Sequence, residues 1–120
     1  MLKDSFFRIE QIEKGESIYN FIVSIKPDHE IFRGHFPEQP VVPGVFEIQM
    51  IKECIEHVEN KKYRYRELIN CKFLNPIFPD NEVDFRIECN CEYHESFLLR
   101  AKVRSKNTLY LSLVAKLEEL

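Results

Sequence analysis

Several features that would narrow the role of this chain at once are missing from it. No stretch of its 120 residues approaches the roughly 20 consecutive apolar positions of a membrane-spanning helix. Met1-Leu2-Lys3-Asp4 leads into no signal-like apolar segment with a cleavage site, so a cytoplasmic protein without a membrane partner is expected. Neither sign of charge dominates: 17 basic against 20 acidic side chains leave a net charge of −3, which implies no overall attraction to nucleic acid. Four cysteines occur without any Cys-x-x-Cys spacing. Cys54, Cys71, Cys89 and Cys91 fall in apolar patterns and read as buried thiols rather than disulfides or metal ligands. His57 and His94 have no partner at ligand spacing and read as surface residues; no metal is expected. Repeats, low-complexity tracts and linkers are absent too, so residues 1–120 are expected to form a single domain. It is large enough to bury a core, yet small enough that a substrate cleft needs a second subunit.

What is present has a clear order. Phe6 to Ile12 and Ile18 to Ile25 read as two strands around the Lys14-Gly15-Glu16 turn. From Pro27 to Pro43 no regular period survives, and proline, glycine, histidine and aromatic residues mark a shaped loop. Val45 to Val58 reads as a helix roughly 20 Å long, with Ile48, Ile51, Cys54, Ile55 and Val58 as its apolar stripe and Asn60-Lys61-Lys62 at its end. Tyr65 to Leu74, Glu82 to Tyr93, Phe97 to Val103 and Leu109 to Leu117 read as strands, the second alternating Val83, Phe85, Ile87, Cys89, Cys91 and Tyr93 on one face. Short gaps between these strands favour antiparallel connections, with Pro76 to Asn81 as a turn-rich joint and Ser105-Lys106-Asn107 as a tight hairpin. The order implies an α+β fold in which an antiparallel sheet wraps one central helix.

The densest signal is Gly34-His35-Phe36-Pro37-Glu38-Gln39-Pro40-Val41-Val42-Pro43-Gly44-Val45. Its three prolines restrict the loop, Gly34 and Gly44 permit backbone conformations or close approaches that a Cβ would hinder, and Pro43-Gly44 stands where a helix can begin. His35 is thereby placed in a rigid segment, and a neutral imidazole suits the role of a base. His29 is read as a brace for this loop. Phe32, Phe36, Val45 and Phe46 read as core or as lining for an apolar ligand. Lys61, Lys62, Arg64 and Arg66 read as a solvated face, with docking of an acidic carrier protein as the functional alternative.

The run His29-x-x-Phe32-x-Gly34-His35-Phe36-Pro37, followed by Pro40-Val41-x-Pro43-Gly44-Val45, resembles the active-site motif of the 3-hydroxyacyl-acyl-carrier-protein dehydratases, enzymes of the hotdog fold in fatty-acid synthesis. Phe73-x-x-Pro76-x-x-Pro79-Asp80 extends the likeness more weakly. The resemblance implies loss of water from a 3-hydroxyacyl thioester, carried by acyl carrier protein or coenzyme A, with no cofactor. His35 would remove the α-proton, and an acid on the central helix would protonate the departing hydroxyl. The amides of Gly44 and Val45 would bind the thioester oxygen, and Arg33 could contact a phosphopantetheine phosphate. The resemblance also implies active sites formed between two chains, hence a homodimer or higher homo-oligomer, or a hetero-oligomer with a related subunit.

The chain departs from that pattern at one decisive position: counted from Pro43-Gly44-Val45, the acid is replaced by Gln49. An amide can hydrogen-bond or orient water but cannot supply a proton to a leaving hydroxide. Glu47 lies about 200° around the helix from Gln49 and is expected to point elsewhere. Glu53 lies one turn on, about 6 Å along the axis; the remaining source is another subunit. Three functions stay open at this point: a dehydratase, a partner subunit or acyl-thioester binding module that has lost its acid, and a thioesterase in which His35 and Gln49 handle water.

Overall fold

Alternation of buried and exposed side chains along the strands shapes this molecule. The computed structural model describes residues 1–34, 38–79 and 84–120. One helical turn and one long helix interrupt the strands: β1 (Phe7–Lys14) and β2 (Ile18–Ile25) precede α1 (Ile31–Gly34) and α2 (Gly44–Glu59), and β3 (Tyr63–Phe73), β4 (Asp84–Tyr93), β5 (Phe97–Ser105) and β6 (Thr108–Glu119) follow. Among the described residues the strands form one antiparallel sheet in the order β1-β2-β4-β5-β6-β3. In β2, β4, β5 and β6 every second residue is buried, which is the mark of a sheet with one covered face. That face closes over α2, whose Met50, Ile51, Cys54 and Ile55 are buried, with Ile48 and Val58 half-buried at the margins of the stripe. Each such aliphatic side chain stabilises the fold by about 1.5–3 kcal/mol. No described helix is long and apolar enough to cross a membrane.

Both ends of α2 stop for local reasons. Pro43, extended at φ −61° and ψ 142°, precedes the first turn and offers no side-chain cap. Asn60 adopts the left-handed conformation at φ 54° and ψ 47°, and its N–H donates to Glu56 O. The expected helix from Val45 to Val58 therefore exists with one further residue at each end. The turn between β5 and β6 is as tight as the sequence implies, Ser105 pairing with Thr108 and Lys106 at φ 51°.

Three features differ from the sequence reading. The loop after β2 contains a single helical turn, α1, because His29 Nδ1 accepts the Ile31 N–H at 3.1 Å and Phe32 anchors the turn in the core. Four residues have no detectable period. The short gaps make neighbours of β4, β5 and β6, but β3 pairs with β6 at the far edge and is separated from β4, which lies beside β2. Ile77, in the segment that leaves β3, is fully buried. Strand limits also move by one or two residues: β1 runs to Lys14, β3 starts at Tyr63, and β6 spans Thr108–Glu119; of the expected strand from Glu82, Glu82 and Val83 lie outside the described residues. Cys54, Cys89 and Cys91 are buried free thiols, Cys71 is a half-buried one, and His57 and His94 are exposed.

Candidate active site at the start of the long helix

Of the candidate residues, Gly44, Val45 and Gln49 share the first turns of α2. The backbone leading into it is pinned from the side: Val42 donates its N–H to Ile77 O at 2.8 Å, and Phe46 N–H returns to Pro43 O at 2.9 Å. A Cβ at Gly44 would stand 2.8 Å from Cζ of Phe73, so that half-exposed ring would have to move aside. Val45 next to it is 71% exposed. A helix of this length with an uncapped first turn presents N–H groups and positive potential to whatever lies in front of it. His35 and Phe36 lie outside the described residues. Arg33, at the end of α1, is exposed, while Phe32 is buried with its ring 5.7 Å from that of Phe6. His29 does brace the loop as expected, its ring edge-on to Phe6 at 5.3 Å and to Phe46 at 6.3 Å.

Gln49 is half-buried, and its Nε2 donates to Glu53 Oε2 at 2.8 Å. Glu53 is fully buried and also accepts the backbone N–H of Leu2 at 2.9 Å and of Lys3 at 2.8 Å. It is thus a tied acceptor rather than a free acid. Glu47 is different: it turns away from Gln49, as its helix angle requires, and is only 4% exposed. Its Oε1 has no hydrogen-bond partner among the described residues. Burial in this apolar layer pushes its carboxyl up to about 8, so near neutral pH it carries its proton. Burial raises the thiol of Cys71 on β3, and the nearby Glu47 carboxyl raises it further. Tyr65 ties β3 to the helix by donating its hydroxyl to Ile48 O at 2.7 Å, and burial holds that phenol protonated.

Sequence reasoning did not foresee buried acids on this helix. The available signal was that Glu47 stands one turn before Ile51 on the same stripe. Nor was the surface around the helix start anticipated. Val45, Leu68, Ile69, Phe73, Leu74 and Phe78 are all exposed apolar side chains, and four of them belong to β3 or the residue after it, at the sheet's outer edge. The basic run after the helix is a solvated face in part engaged across strands: Lys61 pairs with Glu119 at 3.5 Å, and Arg64 pairs with Glu118.

Comparison with known proteins is consistent across sequence and structure. A family model described as ApeI-like, ApeI dehydratase, matches residues 11–111. A 3-hydroxyacyl-[acyl-carrier-protein] dehydratase FabZ of Campylobacter fetus is 29% identical over 94 residues, 68% of this chain and 63% of that protein. The FabZ of Methylobacterium radiotolerans is 28% identical over 112 residues, 85% of this chain and 70% of that protein. The match thus spans about two thirds of the length of these relatives. Among solved structures, the dehydratase heterocomplex ApeI:P from Xenorhabdus doucetiae superposes with a TM-score of 0.79 at 21% identity, over 91% of this chain and 95% of that one. That likeness establishes the hotdog fold.

Proposed function

Because this chain belongs to the ApeI-like dehydratase family, we propose that it acts on 3-hydroxyacyl thioesters carried by acyl carrier protein, in the elimination of water to a 2-enoyl thioester. The observation that carries this reading is the family match over residues 11–111, which includes the whole Gly34-to-Val45 run and the helix behind it. His35 takes the α-proton. The amides of Gly44 and Val45, at the uncapped helix start, hydrogen-bond the thioester oxygen as negative charge builds on it. The C3–O bond breaks, and the hydroxide leaves as water once it receives a proton. Val45, Phe32 and Phe36 supply the apolar contacts to the acyl chain, and Arg33, exposed at the end of α1, meets the phosphate of the carrier arm.

Gln49 cannot give that proton, and Glu53 is occupied by three N–H donors. We therefore assign the donor to a second chain. The apolar edge strand β3 supports assembly: paired with β6 on one side and last in the sheet among the described residues, and bearing exposed Leu68, Ile69 and Phe73, it is a surface that proteins cover. The occupant that supplies the donor is a related subunit with a carboxyl at the place of Gln49, since a second copy would cover the same edge but bring another Gln49. The neighbour from Xenorhabdus doucetiae is itself a heterocomplex. The assembly works in the cytoplasm, in keeping with four free cysteines.

The test is an assay of the purified chain on 3-hydroxyacyl-carrier substrates, alone and with a related subunit. Alone it should be slow, by roughly 10²- to 10⁴-fold, because one positioned proton donor is missing. Gln49→Glu should raise the rate: the new carboxyl would sit one turn from Glu53, and two carboxyls that close share a proton, which keeps one of them a donor. His35→Ala should abolish both activities. A fast wild-type homodimer that is indifferent to Gln49→Ala overturns the assignment of the acid, and hydrolysis of acyl thioesters without dehydration overturns the reaction.

A further inference from the structure

The side chain of Gln49 is not free to choose which atom it shows. Its Nε2 lies 2.8 Å from Glu53 Oε2, at the i, i+4 spacing that brings helix neighbours together. Glu53 has no exposed surface, and its other partners are also donors: Leu2 N–H reaches both oxygens at 2.9 Å, and Lys3 N–H reaches Oε1 at 2.8 Å. A carboxylate offers only acceptors. Turning the Gln49 amide over would press Oε1 against a carboxylate oxygen in a buried setting, where an unmatched polar contact is strongly unfavourable. The buried carboxylate therefore selects one of the two amide orientations, and the amino-terminal backbone locks the carboxylate in turn.

We propose that Glu53 is a positioning residue for Gln49: it engages Nε2 inside the protein and leaves Oε1 as the atom presented to a bound molecule. Position 49 then receives a hydrogen bond. The group it recognises is a donor, the C3 hydroxyl of an acyl thioester or a water held in its place, and a C3 carbonyl is disfavoured. The identity of the ligand rests on the function proposed above; the orientation of the amide rests on Glu53, Leu2 and Lys3 alone.

Two measurements on the full chain separate these parts. In a ¹⁵N-labelled sample the side-chain NH₂ pair of Gln49, assigned by its loss in Gln49→Leu, should exchange with solvent at least about tenfold more slowly than those of Gln11 and Gln39, which are exposed. Glu53→Gln, which keeps the shape and one acceptor, should remove most of that protection. If Glu53→Gln does not fold, the wild-type spectrum decides: exchange at the rate of Gln11 and Gln39 overturns the positioning role. In the second measurement, non-cleavable thioether analogues of one acyl chain differ only at C3. The hydroxyl analogue should bind roughly tenfold tighter than the keto or methylene analogue, the worth of one hydrogen bond, and Gln49→Leu should erase the preference. A preference for the keto analogue shows that Nε2 faces the ligand and overturns the proposal. Slow amide exchange with no binding of any analogue upholds the role of Glu53 and overturns the acyl-thioester reading instead.

Discussion

The two ends of α2 are built on opposite principles. At its last turn Glu59 gathers three phenols: Tyr19 donates its hydroxyl at 2.9 Å, and Tyr63 and Tyr93 donate theirs as well. Tyr63 and Tyr93 stack about Phe97 at 5.2 and 4.5 Å, and Glu56 accepts from Lys52 and from Tyr63 N–H. Burial, helped by Glu59, pushes the Tyr19 phenol up to about 12, so these hydroxyls stay protonated and donating. At the first turn the helix has no side-chain cap, Glu47 keeps an oxygen without a partner among the described residues, and apolar side chains stand exposed around it. The closed end satisfies its polar groups and holds the helix in the sheet. Among the described residues the open end leaves donors, a protonated acid and an apolar rim unmatched, the features expected of a surface that takes a ligand or a second chain.

Breaking the element shared by both ends should have the largest effect. Ile51→Asp places an unpaired charge in a position with no exposure, and no folded protein is expected by circular dichroism. A soluble, cooperatively folded variant would show that the stripe is not the core. The next effect belongs to the open end. Glu47 has its carboxyl raised from 4.5 to about 8, so the folded state holds the proton more tightly than the unfolded chain does. Stability is then full below about 4.5 and is lost as pH rises through about 8. Urea unfolding should record a fall of roughly 3 kcal/mol between pH 5 and pH 8, and Glu47→Gln should flatten it. An unchanged slope in Glu47→Gln would place the titrating group elsewhere.

At the closed end, Glu59→Ala leaves three hydroxyls to find other acceptors. Since Tyr93 can turn to water, a loss of about 2 kcal/mol is expected in the same urea experiment, with little dependence on pH from 5 to 8. If Glu59→Ala is neutral, the difference between the two ends is not energetic. Gly44→Ala should be the mildest change: the ring of Phe73 is half-exposed and can swing away, so stability should shift by less than about 1 kcal/mol. Its consequence should appear instead in the association of two chains, read by light scattering, because the displaced ring lies on the apolar rim.

Periodicity and turn chemistry determined a good part of this protein without a structure. The stripe through Ile51, Cys54 and Ile55 and the alternation of Phe85, Ile87, Cys89 and Cys91 are local patterns that bury whichever partner they meet, so helix, strands and their wrapping were legible. Asn60 as the helix stop and the Lys106-Asn107 turn follow from the left-handed conformations that Asn60 and Lys106 adopt. The Gly34-to-Val45 run pointed to the family because its residues are contiguous, and the family match over residues 11–111 agrees. His35, Gly44, Val45 and Gln49 were nameable as candidates for the same reason, one segment of chain carrying them all.

What the sequence could not decide depends on segments far apart in the chain. The placement of β3 beyond β6 is set by which edges pair once the sheet closes, and no local signal encodes it. The pairing of Glu53 with Leu2 and Lys3 joins residues about 50 positions apart and converts an acidic side chain one turn from Gln49 into a fixed acceptor. Glu47 is an ordinary glutamate in sequence and a protonated acid only because β3 and its neighbours exclude water from it. Hydrophobic patterns act through nearest neighbours along the chain, whereas the state of a buried polar group depends on every atom that surrounds it. That environment exists only in the folded molecule.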